Sequence, residues 1–369
     1  MPHPWIATRT ETFDNSGIRK VFDLAANLAD PINLSIGQPD FDVPVEVKDA
    51  AIDAIRSGKN GYALTQGMPI LRERLQAEVD AQYGHDDRKL FVTSGTSGGL
   101  VLAMMALVDP GDEVIVFDPY FVMYKPLVNM VGGKCILIDT YPDFRIDAAQ
   151  VEAAISPRTK LIIFNSPNNP TGVVAGESKV RELAELASRH NVVLLSDEIY
   201  RIFCYDEPFV SPARFNDQTL VLDGFSKSHA VTGWRLGYAH GPAAVIDAMT
   251  KLQQYTYVCA PHPFQFAGAV AMDIDMSEIV STYRRKRNLL LSGLSDQFQL
   301  ATPGGAFYAF PQAPVGTGAE FVHRAIENNV LVIPGNIFGQ KNSHFRISYA
   351  APDETIRRGV EVLNKLAAG

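Results

Sequence analysis

The chain has 369 residues, 46% hydrophobic and 20% charged, which is material for a large core and, by length, about two to three domains. Its net charge of −8 argues against a nucleic-acid surface, and its longest apolar stretch, Leu100 to Val108, is too short to cross a membrane. Cys135, Cys204 and Cys259 have no metal-ligand spacing and no disulfide framework; they read as reduced, buried thiols of a cytoplasmic protein, and the opening Met1-Pro2-His3-Pro4-Trp5 lacks the regions of a signal peptide.

In chain order, residues 1 to about 30 read as an arm plus an amphipathic helix, Ile18 to Leu28. Pro31 to Ile36 is a short strand, stopped by the turn cluster Gly37-Gln38-Pro39-Asp40-Phe41. Helical periodicity follows from Glu46 to Ser57, ended by Gly58, and again from Met68 to Tyr83, with Pro69 at the helix start. Strand and helix then alternate. Strands are expected at Lys89–Thr93, Glu113–Phe117, Lys134–Asp139, Leu161–Phe164, Val192–Ser196 and Leu220–Leu222. Helices are expected from Leu100, after Tyr124, at Asp147–Ile155 and at Glu177–His190. This alternation predicts an α/β fold whose sheet is mostly parallel and covered on both faces. After Gly241-Pro242 the pattern changes. Ala244 to Lys251 is helical, and Gln265 to about Gln297 reads as one long, mostly helical connection. Its Arg284-Arg285-Lys286-Arg287 run reads as a solvated face rather than a site for an acidic partner. Short strands at Gly305–Phe310, Val330–Ile333 and Phe345–Tyr349 complete an α+β part. The expected division is a larger domain, 45–265, and a smaller one made of 1–44 and 266–369.

In parallel sheets ligands bind at the carboxyl ends of the strands, which brings together four short segments. Gly95-Thr96-Ser97 lies between a strand and a helix, where free backbone N–H groups make an anion site. Asn169, Asp197 with Tyr200, and Lys227 follow three further strands. A lysine at a strand end can be desolvated into a nucleophile for a carbonyl carbon, and Arg235, eight residues on, suits a phosphate. A small molecule carrying both an aldehyde and a phosphate is pyridoxal phosphate (PLP).

Asn168-Asn169-Pro170-Thr171-Gly172, Ser196-Asp197-Glu198-Ile199-Tyr200, Ser226-Lys227 with Gly233-Trp234-Arg235, and Phe345-Arg346-Ile347-Ser348 occur in that order. With these motifs the chain, from Gly37 to Arg346, resembles the fold-type I PLP-dependent aminotransferases of class I/II, the aspartate aminotransferase-like superfamily. The resemblance implies a PLP-dependent transferase fold with a mainly parallel, seven-stranded sheet in its large domain. It implies Lys227 as the Schiff-base lysine and proton carrier, Asp197 as partner of the pyridine nitrogen, and Asn169 and Tyr200 as donors to the ring hydroxyl oxygen. Phe121 falls where the family places a stacking aromatic, with Tyr120 or Tyr124 as alternatives. Gly95, Thr96, Ser97 and Arg235 match the phosphate site, and Tyr62 matches a tyrosine that reaches the phosphate of a neighbouring subunit, which implies a homodimer with shared active sites. Arg346 matches the arginine that grips the substrate α-carboxylate, and Gly37 lies in the loop that meets the same group. Many relatives carry a serine three residues before the lysine. Here that position is Gly224, which leaves Ser226 as the alternative hydroxyl.

The reaction implied is transfer of an amino group from an L-amino acid to a 2-oxo acid, with 2-oxoglutarate the expected acceptor, in two half-reactions. A PLP-dependent β-eliminating carbon–sulfur lyase uses the same constellation and is the alternative; a non-catalytic regulator on the same fold is a remote one. No metal is expected. The substrate side chain is expected near Ser16-Gly17-Ile18, Tyr120 and Tyr124, and its identity is left open.

Overall fold

The computed structural model describes His3, residues 5–13, Gly17 and residues 28–368. The expected helix at Ile18–Leu28 and the Ser16 and Ile18 positions fall outside the described residues, except for Leu28. After β1 (Ile32–Asn33) come α1 (Val45–Arg56), α2 (Pro69–Tyr83), β2 (Arg88–Ser94), α3 (Gly95–Leu107), β3 (Glu113–Asp118), α4 (Tyr124–Met130) and β4 (Lys134–Asp139). The alternation continues through α5 (Ala148–Ala154), β5 (Thr159–Asn165), α6 (Glu177–Arg189), β6 (Val193–Asp197), β7 (Leu220–Gly224) and β8 (Leu236–Pro242). Then follow α7 (Ala243–Tyr255), α8 (His262–Ala271), α9 (Ser277–Gly293), β9 (Tyr308–Ala309), α10 (Gly318–Glu327), β10 (Val330–Leu331), β11 (Ile333–Pro334), β12 (Phe345–Ser348) and α11 (Asp353–Ala367).

Local chemistry explains the element ends. Pro69 opens α2, where its missing N–H costs nothing. Asp147 caps α5 by accepting the Ala149 N–H, and Thr317 with Glu320 forms a capping box on α10. Along α6 the buried residues Val180, Leu183, Ala184 and Ala187 follow helical spacing and form the stripe that packs on the sheet.

The main sheet has seven strands in the order β2-β8-β7-β6-β5-β3-β4. Strand β8 is antiparallel to both neighbours, and the other pairings are parallel. One apolar cluster joins α3, α4 and α7 to one face, and another joins α5 and α6 to the opposite face. Strand β1 pairs with β10, and β11-β12-β9 form a small sheet whose aromatic core includes Phe203, Tyr283, Phe307 and Phe345.

Several expectations change: Gly305–Phe310 shrinks to Tyr308–Ala309, and Val330–Ile333 is two strands in different sheets. Sequence reading passed over β8: Leu236 to Pro242 contains two glycines, a histidine and no β-branched residue, yet all seven positions are buried. The expected 265–297 connection is two helices, broken between Ala271 and Ser277. The basic run on α9 is not a uniformly solvated face. Arg284 and Arg285 are exposed, whereas Lys286 and Arg287 are buried in ion pairs with Asp40 and Asp206. The first strand shrinks to Ile32–Asn33 because its only partner, among the described residues, is the two-residue β10.

Candidate active site

The parallel strands of the large sheet end on one rim, and β8, running the other way, begins there. Thr96 and Ser97 after β2, Phe121 after β3, Asn169 after β5, Asp197 at the end of β6, Lys227 after β7 and Arg235 just before β8 therefore meet. With Gly37, Tyr200 and Arg346 they line a cavity of about 390 Å³. Two residues matched to the phosphate site from sequence do not line it, and neither do Tyr120 and Tyr124. Gly95 lies behind Arg235, and Tyr62 is 86% exposed and outside the cavity lining.

Asp197 is buried at the cavity floor. One carboxylate oxygen accepts the Tyr124 hydroxyl at 2.8 Å. Burial raises its pKa to about 6, against the opposing effect of the Tyr124 hydrogen bond. Lys227 Nζ donates to the Gly37 carbonyl at 2.6 Å. Burial, then the charges of Arg346 and Arg235, lower its pKa to about 8, while Asp197 pulls the other way. The amine is thus half neutral near pH 8, so at physiological pH a minor but ready fraction is in the neutral state a nucleophile needs.

Arg346 is fully buried. Nη1 donates to Asn169 Oδ1 at 3.0 Å and Nη2 to the Ser35 carbonyl at 2.8 Å, while Nε has no partner among the described residues. Its guanidinium also lies 4.5 Å from the Tyr308 ring and 4.8 Å from the Phe338 ring, faces that favour a cation. Among the described residues no carboxylate stands against it, and a buried cation with a free donor is expensive unless an anion joins it. At the other end, Arg235 donates to the Ser97 hydroxyl and, at 3.0 Å, to the Thr232 carbonyl. Gly95 has φ +69°, and a Cβ there would stand 2.6 Å from Arg235 Nη2, so only glycine lets the guanidinium lie against the N-terminus of α3. That end offers a guanidinium, hydroxyls and helix N–H groups together, the donor set of a phosphate site.

A larger cavity, about 720 Å³, lies beyond Asn165 and is lined by Tyr120, Tyr124 and charged residues of both signs. None of Lys227, Asp197 and Arg346 lines it; the candidate site residues gather at the smaller one.

The model of the family described as aminotransferase class I and II matches residues 29–363. This chain belongs to that family. It is an aminotransferase, an enzyme that moves amino groups. It is 38% identical to a probable aspartate aminotransferase of Methanocaldococcus jannaschii, over 98% of this chain and 99% of that protein. It is 34% identical to aromatic-amino-acid aminotransferase 2 of Thermococcus litoralis, over 98% of both. The solved aspartate aminotransferase of Thermus thermophilus with maleate superposes with a TM-score of 0.93 at 35% identity, covering 99% of this chain and 100% of that one.

In this aminotransferase several residues act beside the ones read from sequence. Asn165 donates to the Asp197 carbonyl at 2.9 Å and accepts the Asn169 N–H at 3.0 Å, tying two strand ends together. Tyr308 shares a 2.8 Å hydrogen bond with the Tyr200 hydroxyl. Tyr124, weighed from sequence as a stacking ring or a neighbour of the substrate side chain, holds Asp197, while Phe121 meets it edge-on at 5.7 Å. Only the position of Asn165 at a strand end was a readable signal; Tyr308 comes from a distant strand and had none. The glycine at 224 also has its reason. A Cβ there would lie 2.8 Å from the Gly237 Cα and 2.9 Å from the Leu236 carbonyl, so a serine would force β7 and β8 apart. Ser226 is buried in the cavity lining. Among the described residues no group of side chains is arranged to hold a metal, and no helix is long and apolar enough to cross a membrane.

Proposed function

We propose that the 390 Å³ cavity holds PLP and that the enzyme transfers the amino group of an L-amino acid to a 2-oxo acid, with 2-oxoglutarate as acceptor. The observation that carries this is the charge pattern. Among the described lining residues Lys227, Arg235 and Arg346 have a single carboxylate, Asp197, so the cavity has an excess of positive charge that suits a phosphate and a carboxylate. The unpartnered Nε of Arg346 and the Gly95 cradle fit those two anions.

In this reading PLP, when bound, supplies an electrophilic carbonyl and an electron-withdrawing ring that acidify the donor's α C–H. Gly95, Thr96, Ser97 and Arg235 hold its phosphate, with Ser226 as a further hydroxyl. Asp197, kept in place by Tyr124 and Asn165, holds a proton on the ring nitrogen. Asn169 and Tyr200 donate to the ring oxygen, and Phe121 covers the ring face. Lys227 Nζ is the amine that engages the aldehyde carbon and then moves a proton at the substrate α-carbon. Arg346, with the Gly37 loop, grips the α-carboxylate and so fixes which bond faces Lys227. Tyr62 serves the phosphate of a second copy, in a homodimer of the cytoplasm. The larger domain, 45–265, carries the cofactor, and 1–44 with 266–369 makes the smaller one; α8, which straddles that boundary, packs on α1.

The test is spectroscopic. Holoenzyme is mixed with single L-amino acids, and the visible band of the bound cofactor is followed. A productive donor bleaches the band and 2-oxoglutarate restores it. If no donor in a full panel bleaches it, the substrate reading fails; if the purified protein carries no such band and takes up no PLP, the cofactor reading fails.

A further inference from the structure

The basic run on α9 contains a buried lysine that the proposed reaction leaves without a role. Lys286 makes an ion pair with Asp40 and donates to the Ala351 carbonyl at 2.8 Å. The two charged side chains are 7% and 17% exposed. Tyr283, one turn earlier on the same face of α9, donates to the other Asp40 oxygen at 2.7 Å and accepts the Asp40 N–H at 3.0 Å. Asp40 is therefore held at both carboxylate oxygens and its backbone N–H. Three residues upstream, the Gly37 carbonyl accepts from Lys227 Nζ. Upstream again, the Leu34 carbonyl accepts the Ser348 N–H at 2.8 Å, and the Ser35 carbonyl accepts from Arg346. Residues 34–40 thus form a bridge pinned at both ends, and the one carbonyl that reaches the reactive amine sits between the pins.

We propose that Asp40 and Lys286, with Tyr283, are positioning residues for the reaction: their clasp holds the Gly37 carbonyl against Lys227 Nζ and so sets how tightly that amine keeps its proton. The proposal rests on Lys227 being the reactive amine. A carbonyl oxygen beside an ammonium stabilises the charged form, because the C=O dipole points its negative end at the cation. The other groups facing Lys227 are Arg346 from β12, Arg235 from the start of β8, Asp197 from β6 and the hydroxyls of Tyr200 and Tyr308. The two arginines oppose protonation, so the Gly37 carbonyl and Asp197 are the groups that favour it. Breaking the clasp lets residues 36–40 relax and removes one of those two supports. It also leaves a buried charge without its partner, as cutting a buried ion pair does.

The test titrates Lys227 directly. The full chain, freed of cofactor, is exposed to trace acetic anhydride across pH 6 to 11 (roughly the range in which a lysine amine titrates), and acetylation of the Lys227 peptide is read by mass spectrometry. Asp40→Asn and Lys286→Met are expected to lower the apparent pKa by roughly half a unit, about threefold more reactive amine at neutral pH. Lys286→Arg is expected to recover part of the shift. Arg287→Gln cuts the neighbouring pair with Asp206, which does not touch residues 34–40, and is expected to leave the titration where it was. Titration curves of Asp40→Asn and Lys286→Met that superpose on wild type overturn the proposal. So does an equal shift in Arg287→Gln, which would mean general loosening. Should Lys286→Met fail to fold, Asp40→Asn and Tyr283→Phe, which keep side-chain shape, decide by the same criterion. The readout does not need turnover, so failure of the clasp and failure of the transaminase reading remain separate results.

Discussion

At the scale of single residues, the site works by keeping charges where water cannot satisfy them. Lys227 has a folded-state pKa near 8, below the 10.5 of an unburied lysine. Below pH 8 the unfolded chain holds this proton more readily than the folded one, so the group costs stability there, and the cost fades as pH rises from 8 toward 10.5. Cofactor-free Lys227→Met is therefore expected to melt higher than cofactor-free wild type at pH 7, with the gap closing by pH 10; calorimetry across that range checks it. The same variant should lose turnover by roughly 10³-fold or more, since among the described residues no other amine lines the cavity. Asp197 has the opposite sign: protonated below about pH 6, it loses the charge that would pair with a ring nitrogen. PLP affinity of the cofactor-free protein should fall as pH drops through 6, and Asp197→Asn should be weak throughout and insensitive to that step, as read by equilibrium titration. Arg346→Lys keeps a charge but not the planar fork, so KM for the amino donor should rise roughly tenfold to a hundredfold, about 1.4–3 kcal/mol, in steady-state kinetics.

At the scale of elements, the position of a turn matters as much as its side chains. Gly95→Ala would place a methyl against Arg235 at a left-handed backbone position. The expected result is a loss of roughly 1–3 kcal/mol in thermal or denaturant stability, together with weaker phosphate binding. The elements most legible in the sequence were those with a single strong signal. Buried parallel strands read as apolar runs, as at Glu113 to Asp118, and α6 read from its spacing. Strand β8 was invisible because its glycines, which permit the close approach of α3 and β7, are the residues that usually argue against a strand. Lys286 and Arg287 read as surface charges because their partners, Asp40 and Asp206, are distant in sequence. The candidate site was legible where it follows strand ends and illegible where a later strand lends a side chain, as with Tyr308.

At the scale of the whole molecule, Tyr62 points the site outward. Its loop is tied down on both sides: the Ala63 N–H meets Cys259 Sγ at 3.3 Å, and His262 Nδ1 lies 3.0 Å from the Gly61 carbonyl. A fixed loop presenting an exposed tyrosine fits the proposed reach into a second copy. Tyr62→Ala is expected to weaken PLP binding, and a mixed dimer of Tyr62→Ala and Lys227→Met chains should regain one site of wild-type affinity, because one of its two sites combines both native residues. Wild-type affinity in the Tyr62→Ala homodimer would count against shared sites.

Strand β8 has a last consequence, for assembly. Because it doubles back beside β7, with Gly224 opposite Gly237, the segment bearing Lys227 and Arg235 is a local hairpin in an otherwise crossover-connected sheet. Closing such a short loop takes little chain entropy, whereas bringing Asp197 beside Thr96 requires distant parts of the chain to meet. The amine and the guanidinium proposed to hold the two ends of one cofactor can thus reach their mutual spacing early in folding, before the rest of the rim closes around them.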